Sequence, residues 1–296
     1  MPSQEFKEIL ELIKSAPDKS HLSYTERRAA ERKDAALLPL AKGVTVEPFS
    51  IGEIPAAWFN PPEMQPEKVL LYLHGGGYCL GSIASHQSMI SHLAKETKIR
   101  CLAIDYRLAP ENPFPAAVKD ASAVYEWLIS DVTSPRKIVI AGDSAGGGLT
   151  MATLLDLKTR EVPFPAAAVC LSPWCDLESK GESYQTNIEV DPIVDVEQVS
   201  LFAKAYLGKA NPKSPLVNPL FGNLTGLPPL LVQVGSAEVL LDDAKRLVAN
   251  AKMSAVDAEL EVWDEMIHVW QYHAYKMPEA QEALEKIARF IDRRVE

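Results

Sequence analysis

The sequence predicts an α/β fold in which a mostly parallel sheet is covered by helices on both faces. Five short, nearly continuous apolar runs have the character of strands that are buried on both faces: VLLYLHGG, IRCLAIDY, KIVIAGDS, AAAVCLSP and PLLVQVGS. Helical stretches lie between them, at about residues 86–97, 115–130 and 145–160. Strands that alternate with helices along a chain are typical of a parallel sheet flanked by helices.

The composition is that of an ordinary globular protein, with 296 residues, of which 47% are hydrophobic and 24% are charged. This length fits two domains of about 150 residues, or one large α/β domain with an appended piece. The formal net charge of -10 repels phosphate backbones and anionic lipids, so we expect neither nucleic acid nor a membrane as a partner. Charged residues interrupt the N-terminal sequence, and no run approaches about 18 apolar residues, so we expect a cytoplasmic protein without a signal peptide.

The first part of the chain predicts two helices. Ser3 is a suitable N-cap, and it precedes apolar residues at helical spacing: Phe6, Ile9, Leu10 and Ile13. A second, heavily charged helical stretch covers about residues 23–34, and Pro39 marks the exit from it. We therefore predict an N-terminal helical cap segment at residues 1–42 and a main α/β domain at residues 43–296.

The alternation of strands and helices is interrupted at two places in the main α/β domain. At its start, VTVEPFSI and IPAAWFN flank the turn signal Gly52-Glu53, which predicts an antiparallel hairpin. Residues 182–215 contain no strand-like run, but they include the amphipathic sequence VEQVSLFAKAYL and several prolines. We interpret this segment as a helical insertion that, with the N-terminal helices, forms a lid over an active site.

The four cysteines, Cys79, Cys101, Cys170 and Cys175, are scattered along the chain. Most of them lie in or beside apolar strand-like runs, which predicts buried free thiols. Cys170 and Cys175 resemble a spaced pair of metal ligands, but no second Cys or His pair accompanies them. We therefore expect no metal site.

A nucleophilic serine is predicted at Ser144. Residues 142–146, GDSAG, satisfy the pattern G-x-S-x-G directly after the strand-like KIVIA and directly before a helical stretch. At such a strand-to-helix turn the glycines avoid clashes, and the serine is held in a strained conformation with its hydroxyl exposed. A glycine-rich turn without chemistry is the alternative. It is disfavoured because both the strand and the helix stand where the motif requires them.

A serine hydroxyl needs a histidine to take its proton and an acid to orient that histidine, in the chain order serine, acid, histidine. Only His268 and His273 follow Ser144. His268 comes just after the strand-like ELEVWDE, whereas we interpret His273 as an ordinary polar position of a helix. For the acid we favour Glu238, near the end of the strand-like LLVQVGS. The alternative, Asp242, is better placed to begin the next helix.

The residues HGGG at positions 74–77 follow the strand-like VLLYL. Glycines let the backbone turn its N–H groups toward a bound oxyanion without obstruction by side chains. We predict that Gly76 and Gly77, with the N–H group of Ala145, form an oxyanion hole. His74 precedes Ser144, which is the wrong order for the base, so we expect it to have a structural hydrogen-bonding role.

These motifs together resemble those of the hormone-sensitive-lipase-like α/β-hydrolases, which are called family IV among bacterial esterases. The resemblance is carried by HGGGY, DYRLAPENPFPAA, GDSAGGGL and LSPWCDL, in that order, and it covers most of the chain. It implies an α/β-hydrolase fold with an eight-stranded, mostly parallel sheet, a helical cap, ester hydrolysis and no cofactor. The family usually has D-P-L-x-D where this chain has Glu238-Val-Leu-Leu-Asp242, which puts Glu238 on the catalytic aspartate and leaves Asp242 as the alternative.

The sequence therefore predicts a carboxylesterase that hydrolyses small-molecule esters with short to medium acyl chains, through Ser144, Glu238 and His268. A long-chain lipase or an amidase would use the same residues. A hydrolase-like binding protein is disfavoured because it would be free to lose Ser144 or His268, and the sequence has both. A nucleotide-binding protein is disfavoured because it would need a P-loop lysine or a G-x-G-x-x-G motif, and both are absent from the sequence. As the resemblance suggests, the edge strand in ELEVWDE could pair across a homodimer.

Overall fold

The computed structural model describes residues 2–295, and these form one eight-stranded sheet with helices on both faces. The strands occupy β1 (Thr45–Ile51), β2 (Ile54–Asn60), β3 (Gln65–Leu73), β4 (Ile99–Ile104), β5 (Ile138–Asp143), β6 (Ala167–Leu171), β7 (Leu230–Gly235) and β8 (Ala258–Trp263). All five buried strand-like runs, the hairpin and the run in ELEVWDE are therefore strands.

The strand order across the sheet is β1-β2-β4-β3-β5-β6-β7-β8. Strand β2 pairs antiparallel with both β1 and β4. The other six strands, in the sheet order β4-β3-β5-β6-β7-β8, pair in parallel with one another. The predicted mostly parallel, eight-stranded sheet is thus confirmed. The parallel strands point their carboxyl ends to one edge, where the segments that follow them can meet.

The helices cover α1 (Gln4–Ser15), α2 (Tyr24–Ala35), α3 (Ile83–Thr97), α4 (Ala116–Trp127), α5 (Ala145–Thr159), α6 (Ser183–Thr186), α7 (Val196–Leu207), α8 (Leu241–Met253) and α9 (Pro278–Asp292). Helix α3 begins three residues before its predicted start because Ser82 caps it, accepting from the Ser85 N–H group at 3.1 Å. Helix α4 ends early, in a π-helical turn at Leu128–Val132. None of the helices within residues 2–295 is long and apolar enough to cross a bilayer.

The sheet separates two apolar cores. Helices α4, α5, α7 and α8 pack on one face, and helices α1, α3 and α9 pack on the other. All four cysteines are buried and unpaired, as predicted, and burial raises the pKa of each thiol. These thiols are therefore packing groups rather than reactive ones.

Helix α1 is part of the second core. The Ser3 side chain caps the helix by accepting from the Phe6 N–H group at 3.0 Å. Ser3 also donates its N–H and hydroxyl groups to the Glu279 carboxylate of α9, at 2.6 and 2.8 Å. Phe6 and Ile9 are buried in the same apolar cluster as residues of α9, so helix α1 is packed against helix α9.

We expect Ile9→Ala to destabilise the folded protein by about 2–4 kcal/mol, because it removes a side chain that is only 2% exposed and leaves a cavity. The matched control is Leu12→Ala on the same helix, where the side chain is 63% exposed and the loss should stay within about 0.5 kcal/mol. Urea unfolding of the two variants measures both free energies. Equal losses would contradict the packing described for α1.

Candidate active site

Ser144 stands at the turn between β5 and α5, with backbone angles of φ 53° and ψ -120°. This left-handed conformation is unusual for a residue with a side chain. The flanking glycines are sterically required. A Cβ atom on Gly142 would lie 2.3 Å from the Gly146 carbonyl oxygen, and one on Gly146 would lie 2.0 Å from that of Leu73. The local sequence thus folds into the predicted strained turn.

The glycine loop, which comprises residues 74–81 directly after β3, lies beside this turn. Gly76 and Gly77 have φ values of +109° and +61°, and within residues 2–295 their N–H groups donate to no protein acceptor. The same holds for the N–H group of Ala145, the first residue of α5. The dipole of α5 adds partial positive charge at that point. Three unpaired donors at this edge can stabilise a developing negative charge.

Asp143 connects the serine turn to the glycine loop. Its Oδ1 atom accepts from the Tyr72 hydroxyl at 2.7 Å and from the Gly75 N–H group at 3.0 Å, and its Oδ2 atom lies 3.4 Å from Nε2 of His86. Burial alone would raise the pKa of the Asp143 carboxyl, but His86 and the Tyr72 hydrogen bond hold it below its usual value. A buried carboxylate therefore holds Gly75 next to Ser144.

His268 and Glu238 are brought together by loops that follow neighbouring strands, β8 and β7. Nδ1 of His268 lies 2.7 Å from Oε2 of Glu238. The Glu238 side chain is fully buried, and its other oxygen accepts from the Ser172 hydroxyl at 2.8 Å and from the Gly235 N–H group at 2.6 Å. With these contacts the carboxylate can hold the imidazole in one orientation.

The protonated form of His268 is stabilised by its surroundings. Burial alone would lower the pKa of His268, but the hydrogen bond and the negative charge of Glu238 raise it above the usual 6.5. Within residues 2–295 the imidazole hydrogen-bonds Glu238 alone, so Nε2 is left for a group in the cavity. Such a histidine can accept a proton and hold it as a paired cation.

Ser144, His268, Gly76 and Gly77 line the same cavity, which has a volume of about 630 Å³. Glu238 lies behind His268, outside this cavity. Asp242, the alternative acid, lies in the first turn of α8, where its Oδ2 atom accepts from the Ser183 N–H group at 2.9 Å. The fold therefore brings Glu238, and not Asp242, to His268.

The remaining histidines singled out by the sequence lie in different settings. His74 is buried, its Nδ1 atom lies 2.8 Å from the Gly75 carbonyl oxygen, and its ring stacks on Tyr106 with centroids 4.3 Å apart. Burial lowers the pKa of His74 to about 3, so the ring is neutral. Interpreting His273 as an ordinary polar helix position was wrong. It ends a 3₁₀ turn at Trp270–His273, and it lines the cavity with its Nδ1 atom buried and unpaired within residues 2–295.

Two residues that hold the site were missed by sequence reasoning. Ser172 donates to Glu238 and also accepts from the Val269 N–H group at 3.0 Å. It therefore connects Glu238 to the histidine loop, which is the loop after β8 that carries His268. Its signal was its place in LSPW, immediately after β6. Asp191 accepts from the Val239 N–H group at 2.9 Å and so supports the segment that carries Glu238. Nothing in the local sequence around Asp191 signals that contact.

Comparisons with known proteins agree with this fold and geometry. A family model for the α/β hydrolase fold matches residues 70–272. The chain is 43% identical to an acetyl-hydrolase of Streptomyces hygroscopicus, over 82% of this chain and 81% of that protein. It is 36% identical to an esterase of Acinetobacter venetianus, over 75% of this chain and 74% of that protein.

A solved structure of similar architecture is described as an esterase from the bacterial hormone-sensitive lipase family. It superimposes with a TM-score of 0.95 at 44% sequence identity, and the match covers 100% of both chains. The family match, the relatives and the structural match point to the same group of enzymes. The chain therefore belongs to the α/β-hydrolase family, among the carboxylic ester hydrolases of the hormone-sensitive-lipase-like group.

Proposed function

We propose that this esterase hydrolyses short- to medium-chain acyl esters through a Ser144–His268–Glu238 triad and an acyl-enzyme intermediate. The observation that carries the proposal is the 2.7 Å contact between His268 and the buried Glu238, at the wall of the cavity that Ser144 shares. This contact gives the candidate base a fixed orientation and a paired charge. A serine without such a base would be a poor nucleophile.

In the first half-reaction, Oγ of Ser144 attacks the ester carbonyl carbon while Nε2 of His268 takes the hydroxyl proton. Glu238 stabilises the imidazolium that forms, without itself taking the proton. The tetrahedral oxyanion accepts from the N–H groups of Gly76, Gly77 and Ala145. His268 then donates its proton to the alkoxide oxygen, and the alcohol leaves as the acyl-enzyme forms.

In the second half-reaction, water attacks the acyl carbon, and His268 takes a proton from that water. The same N–H groups stabilise the second oxyanion. Collapse of this intermediate breaks the bond to Oγ of Ser144, which recovers its proton from His268. The carboxylic acid leaves, and the enzyme returns to its starting state.

The proposed acyl preference rests on the cavity. A volume of about 630 Å³ is within the range of small-molecule sites, and apolar side chains such as Trp174, Val199 and Leu240 contribute to its wall. The wall also includes Ile13 from α1 and Phe202 from α7. We therefore propose that residues 1–42 and 182–215 act together as the cap that limits the length of the bound substrate.

The first test is hydrolysis of p-nitrophenyl esters from acetate to palmitate by the wild type and by Ser144→Ala. We expect the wild-type kcat/KM to peak at short or medium chains, and the substitution to lower it by roughly 10⁴-fold or more, because it removes the nucleophile. Turnover that survives in Ser144→Ala would contradict the serine mechanism. A peak at palmitate would contradict the proposed acyl preference.

The second test separates the two candidate acids. We expect Glu238→Gln to lower kcat by roughly 10²–10⁴-fold, because the amide neither orients the imidazole correctly nor stabilises its charged form. Asp242→Asn is the matched control, four residues further along the chain, and should change kcat by less than about threefold because Asp242 does not contact His268. Steady-state kinetics of both variants decide between them, and the reverse ranking would assign the role to Asp242.

The third test is the pH dependence of kcat/KM. His268 must be neutral to act as the base, and Glu238 raises its pKa, so wild-type activity should fall on acidification at an apparent pKa above the usual 6.5. In Glu238→Gln that cause is lost while burial still lowers the pKa. We therefore expect the acid limb of the residual activity to move to lower pH. An acid limb that stays in place would show that Glu238 does not set the pKa of His268.

A further inference from the structure

The glycine loop is held in a conformation that its own sequence does not favour. Gly76, Gly77 and Tyr78 have successive φ values of +109°, +61° and +60°. Glycine tolerates this left-handed region, but a tyrosine does so only with strain. Such a conformation persists where the surroundings over-determine it. The contacts that hold Tyr78 and its neighbours therefore decide where the N–H groups of Gly76 and Gly77 point.

One of these contacts comes from Arg28 in the N-terminal helix α2. Nε of Arg28 donates to the Cys79 carbonyl oxygen at 2.7 Å, one residue beyond the strained Tyr78. Nη2 of Arg28 donates to the Ala109 carbonyl oxygen at 2.8 Å. The Ala109 N–H group in turn donates to the Tyr78 carbonyl oxygen at 2.9 Å. The Arg28 guanidinium thus hydrogen-bonds both to the loop, at Cys79, and to Ala109, which itself hydrogen-bonds to the loop at Tyr78.

The Arg28 side chain is itself held in place. Its Nη1 and Nη2 atoms donate to the two carboxylate oxygens of Glu111, at 2.9 and 2.8 Å, and the side chain is 16% exposed. The hydrogen bond from Arg28 keeps the pKa of Glu111 below its usual value, so the pair is charged. The planar, forked guanidinium can donate to two carbonyls and a carboxylate at once because its donors lie on three nitrogens, whereas the three donors of a lysine all lie on one.

Helix α2 also contacts the glycine loop at a second point. Glu31, one turn after Arg28, accepts from the Gly81 N–H group at 3.1 Å. Arg28 does not line the cavity that contains Ser144, so it does not touch the substrate there. Arg28 can therefore affect the reaction only indirectly, and its contacts with Cys79 and Ala109 lead to the backbone of the loop.

We propose that Arg28 is a positioning residue of the oxyanion hole, through which the N-terminal helix α2 supports catalysis. This proposal rests on the proposed function, in which Gly76, Gly77 and Ala145 bind the oxyanion. Loss of the guanidinium frees the Cys79 carbonyl and lets the strained loop relax. The N–H groups of Gly76 and Gly77 then lose their alignment. The free energy of the transition state then rises more than that of the bound ester, because full negative charge develops only in the transition state.

The test uses the full-length chain with Arg28→Lys, Arg28→Met and the control Arg32→Met. Arg32 lies one turn further along α2, and within residues 2–295 its side chain makes no hydrogen bond or ion pair. We expect both Arg28 variants to lose roughly 10- to 100-fold in kcat for p-nitrophenyl butyrate, with KM within about twofold. The inhibition constant of butylboronic acid, which forms a tetrahedral adduct on a serine, should rise by the same factor. Arg32→Met should stay near the wild type in both.

Titration of active sites with an organophosphate corrects each kcat for misfolded protein, and a thermal midpoint reports stability. If kcat per titrated site and the boronate constant match the wild type while only the thermal midpoint falls, Arg28 is merely structural and the proposal is overturned. Should Arg28→Met fail to fold, Arg28→Lys is judged by the same criterion. A wild type without Ser144-dependent turnover would overturn the proposed function. Unaffected Arg28 variants of an active enzyme would overturn this inference alone.

Discussion

The structure depends on the strained turn that presents Ser144 between β5 and α5. Its positive φ is sterically possible only because Gly142 and Gly146 have no Cβ atom to collide with the backbone around them. That strain must be balanced elsewhere, and β5 is a central strand with neighbours on both sides. The rigid sheet therefore carries the serine at its carboxyl edge, and every other group of the site is placed relative to it.

The other groups reach that edge from separate parts of the chain, and few of them rely on their own loop for support. Ser172, after β6, donates to Glu238 and accepts from the backbone of the histidine loop, so one hydroxyl joins three segments. Asp143 does the same for the serine turn and the glycine loop. Such shared hydrogen bonds hold the geometry before any substrate binds, which is what electrostatic stabilisation of a transition state requires.

The buried carboxylates of Glu238 and Asp143 are each compensated by polar partners. Glu238 is satisfied by a hydroxyl, an N–H group and the imidazole of His268. Asp143 has a hydroxyl, an N–H group and His86. A buried charge without such partners would be costly. These partners stabilise a negative charge beside a histidine, and the hydrogen bond and the charge of Glu238 together raise the pKa of His268.

The sequence by itself determined the strands, the alternating helices, the turn at Ser144 and the glycine loop, because the patterns behind them are local. Apolar runs, capping residues and glycines act on neighbours a few positions away. It also narrowed the acid to Glu238 and Asp242, which lie four residues apart. Only the tertiary structure decided which of these two reaches His268, and that Ser172 and Asp191 support Glu238 and its segment. It alone also showed that His273 lines the cavity and that Arg28 hydrogen-bonds to the glycine loop. The physical reason is that each of these is a contact between residues far apart in the chain. Such contacts exist only once strand order and helix packing have brought the segments together.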